Sequence, residues 1–361
     1  MSQKGFLILE TGEVFAGLWR AGGPRVGEVV FNTSHSGYEE IATDPSYFSQ
    51  IVVMTSAMMG NYGTNEKFWE SKRLWIDGFV CLQLQQTNRE DSWARRLKEN
   101  NIPCLSDVDT RAIVLRLRKG GTTWGALVAG ANAAEAKASA LLLMQKQKSL
   151  EKDWVHLVSR KEVESHIGAK PKGPRIAMLD FGSKQNILRE LMLRSAEVRI
   201  FPSRSSREQI LDFKPDGLML TNGPGDPLDV QVATETVRSF IGKIPIFGIC
   251  MGHQILGLAL GAQTYKLKFG HRGSNHPIKD NLLGRIYVTS QNHGYAIDPS
   301  TLPTDVAVTH TNLNDQTVAG IYSKKRNCLG IQYHPESHPG PNEALQLFDF
   351  FINKMISRSP Q

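Results

Sequence analysis

The 361-residue sequence has no apolar run approaching the roughly 18 residues needed to span a bilayer. Its opening, Met1-Ser2-Gln3-Lys4-Gly5-Phe6, passes straight into a strand pattern without the profile of a signal peptide. A soluble, cytoplasmic chain without membrane association is therefore expected. Cysteine is scarce. Cys81, Cys104, Cys250 and Cys328 lack paired spacing, which argues against a disulfide framework and against a zinc ribbon. His271 and His276 have no carboxylate or cysteine partners at ligand spacing, so no metal is expected. No Gly-x-x-x-x-Gly-Lys-Ser phosphate loop is present, and ATP binding by this chain is not expected.

Charge of one sign does not dominate: 42 Lys and Arg face 35 Asp and Glu, a formal net of +7. The basic residues are dispersed, with short clusters at Arg116-Leu117-Arg118-Lys119 and Lys324-Lys325-Arg326. No aromatic RNA-binding signature or zinc finger accompanies them, so nucleic acid is not an expected partner. Solvated faces, or a surface complementary to an acidic partner, account for the excess.

The hydrophobic content of 40% over this length supports two domains of ordinary size. Residues 1–130 read as a smaller, strand-rich mixed α/β domain. Phe6 to Leu9, the turn Thr11-Gly12 and Val14 to Gly17 have the pattern of a hairpin. Ser92 and Asp107 are candidate helix caps. Residues 131–172, alanine-rich and then charged, read as a linker. From Arg175 onward strand and helix patterns alternate. Strands are expected at 176–180, 198–201, 217–220 and 244–249, and helices at 183–194, 206–213 and 229–241. Over 173–361 this predicts an α/β domain with an open, mainly parallel sheet and helices on both faces. Hairpin-like strands follow Gly261, and a last helix is expected over 342–357.

The densest chemical signal is Pro245-Ile246-Phe247-Gly248-Ile249-Cys250-Met251-Gly252-His253-Gln254. An apolar strand feeds a cysteine with glycines at minus two and plus two, and a helical pattern follows. This is the Gly-x-Cys-x-Gly form of the nucleophile elbow. The helix amino end favours a thiolate. Downstream, His334-Pro335-Glu336 follows an apolar strand and offers a base with an orienting acid two residues on. Together they are the parts of a thiol acyl-transfer enzyme. Thr221-Asn222-Gly223-Pro224-Gly225-Asp226-Pro227 is either a tight turn or a rigid loop whose N–H groups hold an oxyanion. Gln291-Asn292-His293-Gly294-Tyr295 is either a reverse turn between strands or a set of backbone ligand contacts. Thr43-Asp44-Pro45-Ser46-Tyr47 reads as a turn.

These segments together resemble the class I, or triad, glutamine amidotransferases. The amino-terminal half, through Gly27-Glu28-Val29-Val30-Phe31-Asn32, Gly60-Asn61-Tyr62-Gly63 and Asp107-Val108-Asp109-Thr110-Arg111, resembles the small, glutamine-hydrolysing subunits of carbamoyl-phosphate synthetase. The resemblance implies Cys250 as nucleophile, His334 as base and Glu336 as its orienter. It implies Gly223 and Met251 N–H groups as the oxyanion hole, and Ser46, Gly223, Gly225, Met251, Gln254, Asn292, Gly294 and Tyr295 as the L-glutamine site. It also implies a large-subunit partner, in a heterodimer or an oligomer of heterodimers, that uses ATP and Mg to make carbamoyl phosphate, with no cofactor in this chain. An amidotransferase subunit of another synthetase, such as anthranilate synthase, and a non-catalytic scaffold are the competing readings. The amino-terminal domain and the filled triad positions argue against them.

Overall fold

The computed structural model describes residues 3–87, 92–147 and 152–357. The chain divides into two compact units with the boundary between Glu151 and Lys152.

Among the described residues the first unit has nine strands: β1 (Lys4–Leu9), β2 (Val14–Ala21), β3 (Arg25–Asn32), β4 (Gln50–Met54), β5 (Met58–Met59), β6 (Gly78–Val80), β7 (Gln83–Leu84), β8 (Cys104–Ser106) and β9 (Thr123–Ala129). Seven of them close a barrel in the order β1-β2-β8-β6-β4-β3-β9, and β5 pairs with β7 alone. The expected hairpin is the β1–β2 pair, with Leu7 opposite Phe15. Alternation along each strand sorts side chains between two faces. Leu7, Leu9, Val29, Ile51 and Val53 share one cluster with Leu105 and Leu127, while their neighbours Val30, Val52 and Met54 pack with Tyr38 and Trp93. Among the described residues four α-helices accompany the barrel: α1 (Tyr38–Thr43), α2 (Trp93–Glu99), α3 (Thr110–Gly120) and α4 (Ala133–Gln147). Ser92 and Asp109 cap α2 and α3 through their side chains. The cap of α3 is thus two residues beyond the Asp107 read from the sequence.

Of the stretch 131–172 read as a linker, residues 148–151 lie outside the described residues, and the described parts on either side belong to the two units. Within it α4 buries Ala136, Ala140 and Met144 against Phe6, Ile8 and Val128 of the barrel strands. Small residues at four-residue spacing let the helix approach the strands closely. Residues 164–167 instead form an edge strand of the second unit. Their half-exposed alternation conceals the pairing in a charged sequence.

The second unit carries β10 (Glu164–Ile167), β11 (Arg175–Asp180), β12 (Glu197–Pro202), β13 (Gly217–Leu220), β14 (Ile246–Ile249), β15 (Thr264–Asp280), β16 (Arg285–Ile297), β17 (Ala307–Asn312), β18 (Val318–Ser323) and β19 (Cys328–Ile331). They form one sheet in the order β10-β12-β11-β13-β14-β19-β18-β17-β15-β16. Strands β12, β11, β13, β14 and β19 run parallel, and the remaining neighbours pair antiparallel. The helices are α5 (Trp154–Val158), α6 (Gln185–Met192), α7 (Arg207–Asp212), α8 (Gln231–Phe240), α9 (Met251–Leu260) and α10 (Gln346–Phe350). One core holds Ile210, Val237, Phe240, Ile255 and Leu256 from α7, α8 and α9; the other holds Ile187, Leu188 and Leu191 from α6 with Leu347 and Phe348 from α10. Helices thus cover both faces, as the strand–helix alternation predicts. The last helix is shorter than expected: α10 runs into a wider turn of π-helix over Phe351–Ile356.

Of the two readings of residues 291–295, the reverse turn is overturned here. Residues 291–295 are no reverse turn; they lie inside β16, paired with β15, where Asn292 faces Arg272 and His293 faces His271. These strands carry polar and glycine residues and two register shifts, which erases the apolar alternation that marks a strand.

Candidate active site

Strand β14 delivers Cys250 to the amino end of α9, with φ 53° and ψ −103° at the cysteine. That backbone state is costly for a residue with a side chain, on the order of 1–3 kcal/mol. The surroundings impose it. Cys250 N–H donates to Ile331 O at 2.8 Å and Gly252 N–H to Thr221 O at 2.9 Å. A Cβ on Gly248 would stand 2.5 Å from Gly252 O, and one on Gly252 would stand 2.3 Å from Leu220 O. Both flanking glycines are therefore demanded by backbone approach.

His334 emerges just past β19, its N–H bonded to Ser290 O at 2.9 Å. Its Nδ1 lies 2.6 Å from Glu336 Oε1. Cys250, His334 and Glu336 are all buried. Burial, the largest influence on His334, disfavours its charged form. Glu336, with a further contribution from the Cys250 thiol, overrides it and pushes the imidazole up to about 10. His334 Nε2 makes no hydrogen bond among the described residues. Burial likewise opposes ionisation of Glu336, but Lys184 first and His334 second bring it down to about 2. The Cys250 thiol lies 3.5 Å from Asn292 O.

Lys184 is the site residue that sequence reasoning missed. It is 2% exposed and its Nζ lies 3.1 Å from Glu336 Oε1. It also donates to Ser337 O. Asn186 Nδ2 donates to Glu336 O at 2.5 Å.

The other expected positions fall as follows. Gly223 follows β13, and a Cβ there would meet Phe181 O at 2.2 Å. Gly225 has φ 91° beside the Trp154 ring. Asp226 caps the turn 227–229 by accepting from Leu228 N–H at 2.9 Å. The 221–227 segment is thus a braced loop tied to the elbow through Thr221. Neither Gly223 nor Met251 donates its N–H to a partner among the described residues. Gln254 Nε2 donates to Tyr295 O at 2.9 Å and to Gln332 Oε1 at 3.1 Å, which joins α9 to β16. Asn292 Nδ2 is buried without a hydrogen bond among the described residues. Gly294 stands beside Arg272, at 3.4 Å from a Cβ to Nη2. The second unit thus gathers every expected position except Ser46. Ser46 is buried in the barrel unit, where its N–H donates to Asp44 Oδ1 at 2.9 Å.

His271 and His276 belong to a polar cluster under β16. His271 Nδ1 is 3.2 Å from His293 Nε2, and His271 Nε2 is 2.7 Å from Asp315 Oδ2. Burial pushes His276 down to about 4 and holds His293 well below the ordinary imidazole range. Among the described residues no group of three or more His, Cys, Asp or Glu is arranged to hold a metal. No helix among them is long and apolar enough to cross a membrane.

A cysteine elbow, a histidine–glutamate pair and a braced glycine loop on an open α/β sheet define a thiol amidotransferase domain. The family model for class-I glutamine amidotransferases matches residues 177–354. The model for the CPSase domain of the carbamoyl-phosphate synthase small chain matches residues 7–127. The chain is 44% identical over 372 residues to a carbamoyl phosphate synthase small chain of Symbiobacterium thermophilum, covering 97% of this chain and 98% of the relative. It is 43% identical to the one from Staphylococcus epidermidis, covering 98% and 97%. The relative from Fusobacterium nucleatum is 42% identical, covering 97% of each. The chain belongs to the carbamoyl-phosphate synthase small-chain family and is its glutamine amidotransferase type of enzyme subunit.

Proposed function

We propose that this chain hydrolyses L-glutamine to glutamate and ammonia through a cysteinyl thioester, and hands the ammonia to a large synthetase subunit. The buried Cys250–His334–Glu336 constellation, with the cysteine on a strained elbow and a 2.6 Å His334–Glu336 contact, carries the reading.

His334, held charged by Glu336, already carries the proton of the Cys250 thiol, and the sulfur attacks the carboxamide carbon as the thiolate. The carbonyl oxygen becomes an oxyanion, for which the unpartnered N–H groups of Gly223 and Met251 are the candidate donors. Removing one such donor typically costs about 10²–10³ in rate. His334 gives a proton to the departing nitrogen, and the C–N bond breaks to leave ammonia and a thioester. Water then attacks the thioester with His334 as base, releasing glutamate and restoring the thiol. The sum is glutamine plus water to glutamate plus ammonia. Glu336, itself held ionised by Lys184, fixes the His334 tautomer and stabilises its charged form. The braced loop, Gln254, Asn292, Gly294 and Tyr295 form the glutamine site.

Ammonia in bulk water is protonated and no longer nucleophilic, so its acceptor must be docked. The large subunit consumes it with bicarbonate and ATP, with Mg, to form carbamoyl phosphate for arginine and pyrimidine biosynthesis in the cytoplasm. The working assembly is the heterodimer. The test is ammonia release by wild type and Cys250→Ser, alone and with the large subunit. Turnover that rises with the partner and vanishes in the variant is expected. Equal activity in wild type and Cys250→Ser overturns the mechanism.

A further inference from the structure

The barrel unit contains none of the triad, yet helix α3 presents a face that its own unit does not use. Arg111, Leu115 and Arg118, spaced four and three residues apart, share one stripe of the helix. Thr55, Thr110 and Val114 complete with them a hollow of about 220 Å³. Arg116, on the adjoining flank, is paired with Glu13. Arg111 and Arg118 are exposed and form no ion pair or hydrogen bond among the described residues. Leu115 between them is 51% exposed.

The surface continues beyond the helix. Strands β4, β6 and β8 are mutually parallel, so Thr55, Leu82 and Thr110, which follow them, lie at the same end of the barrel. Leu82 O accepts from Asp107 N–H at 2.8 Å, and Gln83 N–H donates to Ala57 O at 2.9 Å, which brings the exposed Met58 and Leu82 to that end as well. Apolar side chains flanked by arginines, with Met among them, are the composition of interface cores rather than of plain solvated surface. The hollow is smaller than the roughly 300 Å³ lower limit of ordinary small-ligand pockets. It suits a single inserted side chain. A second copy of this chain, with its net charge of +7, is a poor match for an arginine face.

We infer that the Arg111–Leu115–Arg118 face of α3 is a docking surface for the ammonia-accepting synthetase subunit, which meets it with an apolar side chain ringed by carboxylates. The inference rests on the proposed function for the partner's identity. Arginine fits this task because its planar fork takes a carboxylate in two parallel hydrogen bonds.

The experiment titrates the full chain with the purified large carbamoyl-phosphate synthetase subunit from the same organism, by calorimetry, at low and high salt. It compares wild type, Arg111→Glu/Arg118→Glu, Leu115→Ser and, as a control on the other unit, Lys172→Glu. Charge reversal against carboxylates is expected to weaken association by about 10²-fold and to flatten or invert its salt dependence. Leu115→Ser weakens it about tenfold, a hot-spot-sized effect, without changing the salt slope, and Lys172→Glu leaves it unchanged. Glutamine hydrolysis by each free variant stays at the wild-type basal rate. Wild-type affinity in the double reversal, with hydrolysis intact, overturns the docking surface and leaves the proposed function standing. Absence of glutamine hydrolysis in wild type removes the functional reading, and this inference with it.

Discussion

Glu39 in the barrel unit and Glu336 in the sheet unit are the same side chain at nearly the same burial, 2% and 0% exposed. They titrate in opposite directions. Burial raises Glu39 to about 7, and its neutral donors, Asn65 N–H at 2.8 Å and Trp69 Nε1–H at 3.1 Å, only moderate the rise. Burial also acts on Glu336, but Lys184 and His334 bring it to about 2. Desolvation alone makes a buried carboxyl a weak acid; two adjacent cations make it a permanent anion. In the sheet unit that anion holds the buried His334 in its charged form.

The pH consequences differ in sign. His334 is raised, so its stabilising contribution is complete below 6.5 and is lost as pH climbs through about 10. Glu336 is depressed, so its contribution is complete above 4.5 and is lost as pH falls through about 2. Between those limits the pair stays ionised. Glu39 does the reverse of Glu336: the folded chain keeps a proton that the unfolded chain releases, so stability falls as pH rises from 4.5 to about 7 and then levels off.

The comparison is open to four tests of decreasing size. Cys250→Ala is expected to lower glutamine turnover by about 10⁶-fold, read as ammonia release. Substantial residual activity would mean that the charged pair serves something other than this thiol. Glu336→Gln should lower kcat by roughly 10²–10⁴, and should drop the His334 titration, followed by NMR of labelled histidine, because its strongest raising influence is gone. An unmoved His334 would sever the pair. Lys184→Met removes the leading influence that depresses Glu336. The acid limb of the pH–rate profile should move upward, with kcat down by about 10- to 100-fold, the worth of one charge-assisted hydrogen bond. Glu39→Gln should be the mildest. It should raise the thermal midpoint at pH 8 by the equivalent of about 1–2 kcal/mol, and change it little at pH 4. A variant that melts with wild type at both values would show that Glu39 is not held protonated by its burial.

Local patterns were legible wherever the backbone or one apolar face decides the outcome. The glycines at 248 and 252 announce a turn because any side chain there strikes a carbonyl. Helices α6, α7 and α8 were legible within two residues or so, since apolar periodicity and the Ser206 cap describe them. The sequence was silent where a strand carries polar cargo. A reverse turn stayed open as one of two readings of residues 291–295 because Gln291, Asn292 and His293 pair with β15 and bury polar side chains rather than an apolar face. The linker reading of 131–172 failed because a charged, weakly patterned segment is divided between two units, each ordering its own part. Lys184 passed unnoticed because nothing adjacent in sequence makes a buried lysine tolerable; its counter-charge is 152 positions away.

The sequence by itself determined the elbow, the strand–helix alternation and the kinds of chemical group on offer, since those depend on steric demands and periodicities acting over a few residues. Only the tertiary structure decided which groups carry charge and which backbone carbonyl lies beside the thiol. Charge in a buried site depends on its neighbours within a few ångströms. Here those neighbours come from α6, β16 and the segment after β19, which meet only once the sheet has assembled.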